Sequence, residues 1–215
     1  MNASEFTKTV FGLVQERLVT IGFRKRKQGI SSLPASEDVL GLVGLNKALA
    51  RGLGILEINP VVGVRNQRVE KLVAKLLGEP FDELNPFSAG ANIGYLSPQS
   101  RYQPFIFAKS APLDGPADEL VATIRTDGLP FIYSNVSLPA LLKTMRSTRF
   151  AVNLVAVYRI PVLLHLLGNR DEVESFLSDE LTKLGARTDS AAERYRFFAT
   201  RMKECNRSSL SALYS

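Results

Sequence analysis

The chain is poor in the side chains that most often carry nucleophilic or metal chemistry. Its 215 residues include one cysteine, one histidine and no tryptophan. The single cysteine, Cys205, excludes an intrachain disulfide and fits a reducing compartment, so a cytoplasmic location is expected. One His and one Cys cannot furnish the usual four-ligand zinc site, and no metal or other cofactor is expected. His165 lies among Leu163, Leu164, Leu166 and Leu167, where a buried, hydrogen-bonded imidazole is the simpler reading than a catalytic base. No Ser-His-Asp or Cys-His grouping is read, which inclines the chain away from enzymes. The glycine pairs in GLVGLN and GLGIL match neither the P-loop nor the dinucleotide fingerprint.

Long apolar runs are also missing. The nearest, residues 150–168, is interrupted by Asn153, Arg159 and Pro161 and reads as a buried core helix rather than a membrane span. The opening MNASEFTKTVFGLVQERL has neither a basic n-region nor an unbroken apolar stretch, so no signal peptide is expected.

What is present is globular in composition, with 45% hydrophobic and 22% charged residues, enough for a core. The formal net charge of +6 favours acidic partners. Spacing of three and four apolar residues predicts a first helix over 4–21, closed by Gly22. An extended arm over Phe23–Leu33, a turn at LPASED and a strand over Val39–Lys47 follow, with ALARG as the next turn. The segment 54–78 reads as strand, then helix. Leu56, Ile58, Pro60, Val62 and Val64 alternate with Glu57, Asn59, Gly63 and Arg65, giving one buried and one outward face. Pro60 cannot donate to a ladder, which implies an edge strand or a bulge. Asn66 is placed to cap a helix with an apolar stripe at Val69, Leu72, Val73, Leu76 and Leu77.

Further on, NIGYL and PFIFA read as short strands and residues 114–128 as a helix stopped by Gly128. LPFIYSNVS reads as a crossing segment and SLPALLKTMRS as a short helix. Beyond residue 149 the pattern is helical only. Asn169 with Glu172, and Ser190 with Glu193, resemble capping pairs, and the tail from 206 is expected to fray. The expected class is α+β: a small, mostly antiparallel sheet flanked by helices over 1–148, then a C-terminal helical segment, 149–215, packed on it.

Several groups of residues are candidates for contact with a partner. Arg24, Lys25, Arg26 and Lys27 form the one basic cluster, suited to an acidic protein surface, to phosphates, or to guarding a strand edge. Glu57, Asn59 and Arg65 mark the outward face of the strand. A magnesium site at Glu57, with Asp38 as second carboxylate, ranks last because no D-x-D or E-x-K pattern accompanies it. Tyr95, Tyr102 and Phe105, in or beside a long Pro- and Gly-rich stretch, suit anchors for a partner as well as they suit core.

The helix ending in GFRKR, the following strands, the EINPVVGVR strand and its helix, within residues 4–128, resemble bacterial domains of unknown function found among the immunity proteins of polymorphic toxin systems. The resemblance implies a non-enzymatic protein that binds and blocks another protein. Immunity proteins against nuclease toxins are commonly acidic, whereas this chain is basic, so the implied target surface is acidic or the toxin is not a nuclease. The expected function is therefore a cytoplasmic protein-interaction module acting by occlusion, with no membrane insertion. Nucleic-acid binding through residues 24–27 is the alternative.

Overall fold

The computed structural model describes residues 1–51, 54–84, 87–147 and 153–207, with the side chains of 48–51 and 153–155 left out. The chain forms an α+β structure in two compact units, each built from separate stretches: residues 1–65 with 89–136, and residues 66–88 with 137–215. No helix among the described residues is long and apolar enough to cross a membrane.

The first unit opens with α1 (Ala3–Thr20), whose N-terminus is a capping box. The Glu5 amide donates to Asn2 Oδ1, and Glu5 Oε2 accepts from the Asn2 amide. Two orphan donors are thereby satisfied. Phe6, Val10, Val14 and Leu18 form its buried stripe. Gln15 is buried beside them, and its amide nitrogen donates to the Lys27 and Ile30 carbonyls at 3.0 Å each. That clamp fixes the turn between β1 (Arg24–Lys27) and β2 (Ile30–Ser36). Gly29 occupies this turn at φ +74°, a conformation that disfavours a side chain. Arg17, on the more exposed side of α1, forks to Asp114 and Asp118 of α4 (Asp114–Thr123).

The six-stranded sheet runs β1-β2-β3-β4-β5, with β3 (Val39–Arg51) and β4 (Ile55–Asn66) as the long strands and β5 (Ala89–Asn92) as a short one. Strand β4 also pairs with β6 (Phe105–Ala108). The register explains Pro60. Residues 55–58 of β4 face β6, and residues 61–64 face β5, both antiparallel. Asn59 and Pro60 fall in the interval between the two short partners, so the missing amide hydrogen of proline interrupts neither of these two ladders. The strand is thus interior, with a split neighbour.

Four local expectations are corrected here. Strand β3 continues through Arg51 rather than turning at ALARG, and Gly52 lies outside the described residues. Residues 93–96 form a single helical turn, α3 (Ile93–Leu96), so the strand of that region is β5 instead of NIGYL. Gly128 does not stop α4. A π turn over Ile124–Gly128 leads directly into α5 (Leu129–Ser134), so LPFIYS is helical rather than a crossing segment. The wide turn admits Pro130, whose ring and absent N–H would break a regular α turn. Gly128 instead serves packing: a Cβ there would lie 3.2 Å from the Val62 side chain.

The second unit is helical. It holds α2 (Gln67–Leu77), α6 (Leu138–Arg146), α7 (Asn153–Leu166), α8 (Arg170–Leu184) and α9 (Ser190–Arg207). Phe150–Val152, expected to begin the long helix, lie outside the described residues, as does the tail from 208. Asn66 Oδ1 accepts from the Val69 amide and caps α2 as expected. The other caps differ: Asp189, not Ser190, caps α9 through the Ala192 amide at 3.1 Å, and Asn169 makes no side-chain cap on α8.

The core of this unit contains an ion pair. Glu70 of α2 and Arg159 of α7 are both buried and meet through two parallel bonds, Nε–Oε1 at 2.6 Å and Nη2–Oε2 at 2.7 Å. Ser88 Oγ donates to Glu70 Oε1 at 2.6 Å and accepts from the Asn66 amide at 3.0 Å. Bidentate geometry and these extra bonds offset the desolvation of both charges. Glu70→Ala should therefore destabilise the chain by about 3–5 kcal/mol, because it leaves Arg159 buried and unpaired. Urea unfolding measures this, and Glu70→Met with Arg159→Met should cost less than Glu70→Ala alone. A double variant that unfolds at lower urea than the single one would contradict this account of the pair.

Candidate functional site

Strand alternation sets the chemistry of the two faces where β4 meets β6. Leu56, Ile58, Phe105 and Phe107 are buried on one face. On the other, Glu57 stands directly opposite Ile106, with Ile55 two residues away opposite Ala108. Residues at these positions share a face and touch across the strands. Tyr102 completes the group: its hydroxyl donates to Glu57 Oε1.

The loop before β6 brings Tyr102 there. Ser97 Oγ and the Arg101 amide both donate to the Gly94 carbonyl, at 2.8 and 3.1 Å. Ser100 turns the chain at φ +47°. A Cβ on Gly94 would lie 2.2 Å from the Arg101 carbonyl oxygen, so only glycine lets the loop fold back this closely. Tyr95, on α3, is exposed next to Gly94, against whose carbonyl this loop folds back. The result is a mixed patch in which Ile55, Tyr95, Tyr102 and Ile106 are 38–47% exposed around one carboxylate. Large apolar and aromatic groups with a polar centre are the composition of binding surfaces rather than of ordinary exterior.

The sequence reading of β4 is corrected at two positions. Asn59 is 8% exposed and Arg65 1% exposed, so neither is available to a partner. Both faces of the middle and end of this interior strand are covered, and only its first residues keep an open face. Of the expected group, Glu57, Tyr95 and Tyr102 do come together. Ile55 and Ile106 were missed. The signal for them was the FIFA alternation, which puts one isoleucine on the face opposite two phenylalanines.

The basic residues Arg24, Lys25, Arg26 and Lys27 make up β1, and all four are exposed. None forms an ion pair among the described residues. Arg26 Nε donates to Ser32 Oγ at 2.7 Å, next to an irregularity in the β1–β2 register between Lys25 and Lys27. Strand β1 is one edge of the sheet, and β5 with β6 forms the other. A short, cationic edge resists pairing with another strand while offering charge to an acidic surface.

His165 and Cys205 do meet, contrary to the expectation that no such grouping forms. Cys205 Sγ lies 3.8 Å from His165 Nε2, and His165 Nδ1 lies 3.2 Å from Asn206 Oδ1. Asn206 Nδ2 donates to the Arg170 carbonyl and to Glu174 Oε1, which turns Oδ1 towards the imidazole. Nδ1 then donates, and Nε2 is left to accept from the thiol. Burial pushes the Cys205 thiol up, away from the thiolate a nucleophile needs. All three side chains are buried, and the group acts as a clasp among α7, α8 and α9. Among the described residues, no three His, Cys, Asp or Glu side chains gather as metal ligands, at Glu57 and Asp38 or elsewhere.

Comparison with known proteins yields no match: no family model, no curated protein and no solved structure resembles the chain.

The Tyr102–Glu57 contact has a spectroscopic signature. The Tyr102 phenol is held above its ordinary value, first by the hydrogen bond to Glu57, then by partial desolvation and the nearby negative charge. Phenolate formation, followed by ultraviolet difference titration of wild type against Tyr102→Phe, should place Tyr102 above the usual value of about 10. Glu57→Gln should bring it down. An unchanged titration in Glu57→Gln would show that the carboxylate does not hold the hydroxyl.

Proposed function

We propose that this chain is a protein-binding module that acts by covering a surface of its partner, in the manner of an immunity protein or antitoxin-like inhibitor working in the cytoplasm. The observation that carries the reading is the patch on β4 and β6, where Ile55, Tyr102 and Ile106 flank Glu57 and Tyr95 is exposed on the adjoining α3. Aromatic and aliphatic anchors of this size supply most of the binding energy when a partner excludes water from them. The cationic β1 edge supports an acidic partner surface, since complementary charge raises the encounter rate and discourages wrong partners. The likeness of sequence motifs within residues 4–128 to immunity-type domains points in the same direction.

A second reading has its own observation. Four exposed, contiguous cations on β1, with no ion pairs among the described residues, also suit a phosphate backbone. Aromatic side chains for base stacking are lacking at this edge: Phe23 is buried.

Each reading is tested with its own variants. Selection of binding partners from the proteins encoded near this chain should give a partner whose affinity falls at least ten-fold with Ile106→Asp or Tyr102→Ala, and is unaffected by Lys183→Ala. Affinity for that partner that is indifferent to both patch substitutions would remove the protein-binding reading. If instead short DNA or RNA binds, with a salt slope that falls by about 3 when Arg24, Lys25, Arg26 and Lys27 are all neutralised, the second reading holds.

A further inference from the structure

The helical unit has a concavity that the protein-binding reading does not use. It measures about 440 Å³ and is lined by Pro139, Leu142 and Leu167 together with Lys143, Arg146 and Asn169. The volume is in the range of small-ligand sites, which combine an apolar lining with a few placed polar groups. We infer that this concavity binds a small amphipathic carboxylate, with its hydrocarbon tail on Pro139, Leu142 and Leu167 and its charge at Lys143.

The polar rim is fixed by internal bonds. Arg146 Nη2 donates to Glu172 Oε2 at 2.6 Å, and Asn169 Nδ2 donates to Glu172 Oε1 at 3.5 Å. Glu172 thereby ties the last turn of α6 to the first turn of α8. Two consequences follow for a ligand. Arg146 is already neutralised, whereas Lys143 has no ion-pair partner among the described residues, so the rim offers one uncommitted positive charge. Asn169 has turned its amide to Glu172 and caps none of the first-turn amides of α8, so the positive end of a 15-residue helix opens beside the same rim.

The site selects by sign: one free ammonium, a compact point charge, matches a carboxylate. The apolar floor requires a tail, because acetate-sized anions would leave it wet. Each buried methylene strengthens binding by about four-fold, so affinity should climb steeply with chain length up to about eight carbons.

Isothermal titration of the full chain with octanoate, hexanoate, acetate and octanol tests this. Octanoate should bind saturably at one site and about fifteen-fold more tightly than hexanoate, with acetate and octanol each at least ten-fold weaker than octanoate. Lys143→Glu should weaken octanoate at least ten-fold and leave the thermal midpoint unchanged, since Lys143 is exposed. Absence of saturable octanoate binding, equal affinity for octanol, or an affinity indifferent to Lys143→Glu would each overturn the inference. None of these results bears on the patch at β4 and β6.

Discussion

Pro60 has no amide hydrogen, and it sits inside the strand on which the sheet is organised. Along one edge of β4 the neighbour is divided into two short strands, one on each side of the Asn59–Pro60 step, and neither ladder asks Pro60 for a donor. Because β6 is a separate strand, its register is free to set Ile106 against Glu57. Because the chain must return from β5 to β6, it passes through the loop that carries Tyr102. The exposed patch is thus assembled from a gap in one ladder, a tight return at Gly94 and the ordinary alternation of strands.

The helical unit meets the same problem, polar groups within a core, by a different route. Glu70 and Arg159 are each satisfied by the other and, for Glu70, by Ser88. His165, Asn206 and Cys205 form a second buried cluster in which every donor direction follows from the amide of Asn206. Such networks specify one arrangement of helices, because sliding a helix by a turn would strand a charge or a donor. The aromatic group of Tyr158, Tyr195 and Phe198, with ring centroids 5.0–6.0 Å apart, fills the space between α7 and α9 without further polar constraint.

Much of this was legible in the residue order, and the exceptions have physical causes. The class, α1, the strand and helix around Asn66, and the helical character beyond residue 149 follow from periodicity and capping, which are local. The helix at LPFIYS was hidden by Pro130 and Gly128, which read as breakers until a π turn accommodates one and close packing employs the other. Asn59 and Arg65 were read as outward because alternation tells which residues share a face, but not whether a second layer covers that face. Glu70 carries no mark of burial in the residue order; nothing short of its partner, 89 residues away, identifies it as core. At the candidate site, Glu57 and the two tyrosines were recognisable by type, while Ile55 and Ile106 resemble any core isoleucine until the pairing of β4 with β6 is known.

The central claim is that the chain works through a preformed surface on β4 and β6. Hydrogen exchange of the full chain, alone and with its selected partner, tests it directly. The account predicts slower exchange on binding in residues 55–58 and 97–108, with α8 and α9 unchanged. Protection confined to α8 and α9, with 55–58 and 97–108 exchanging as in the free chain, would contradict it.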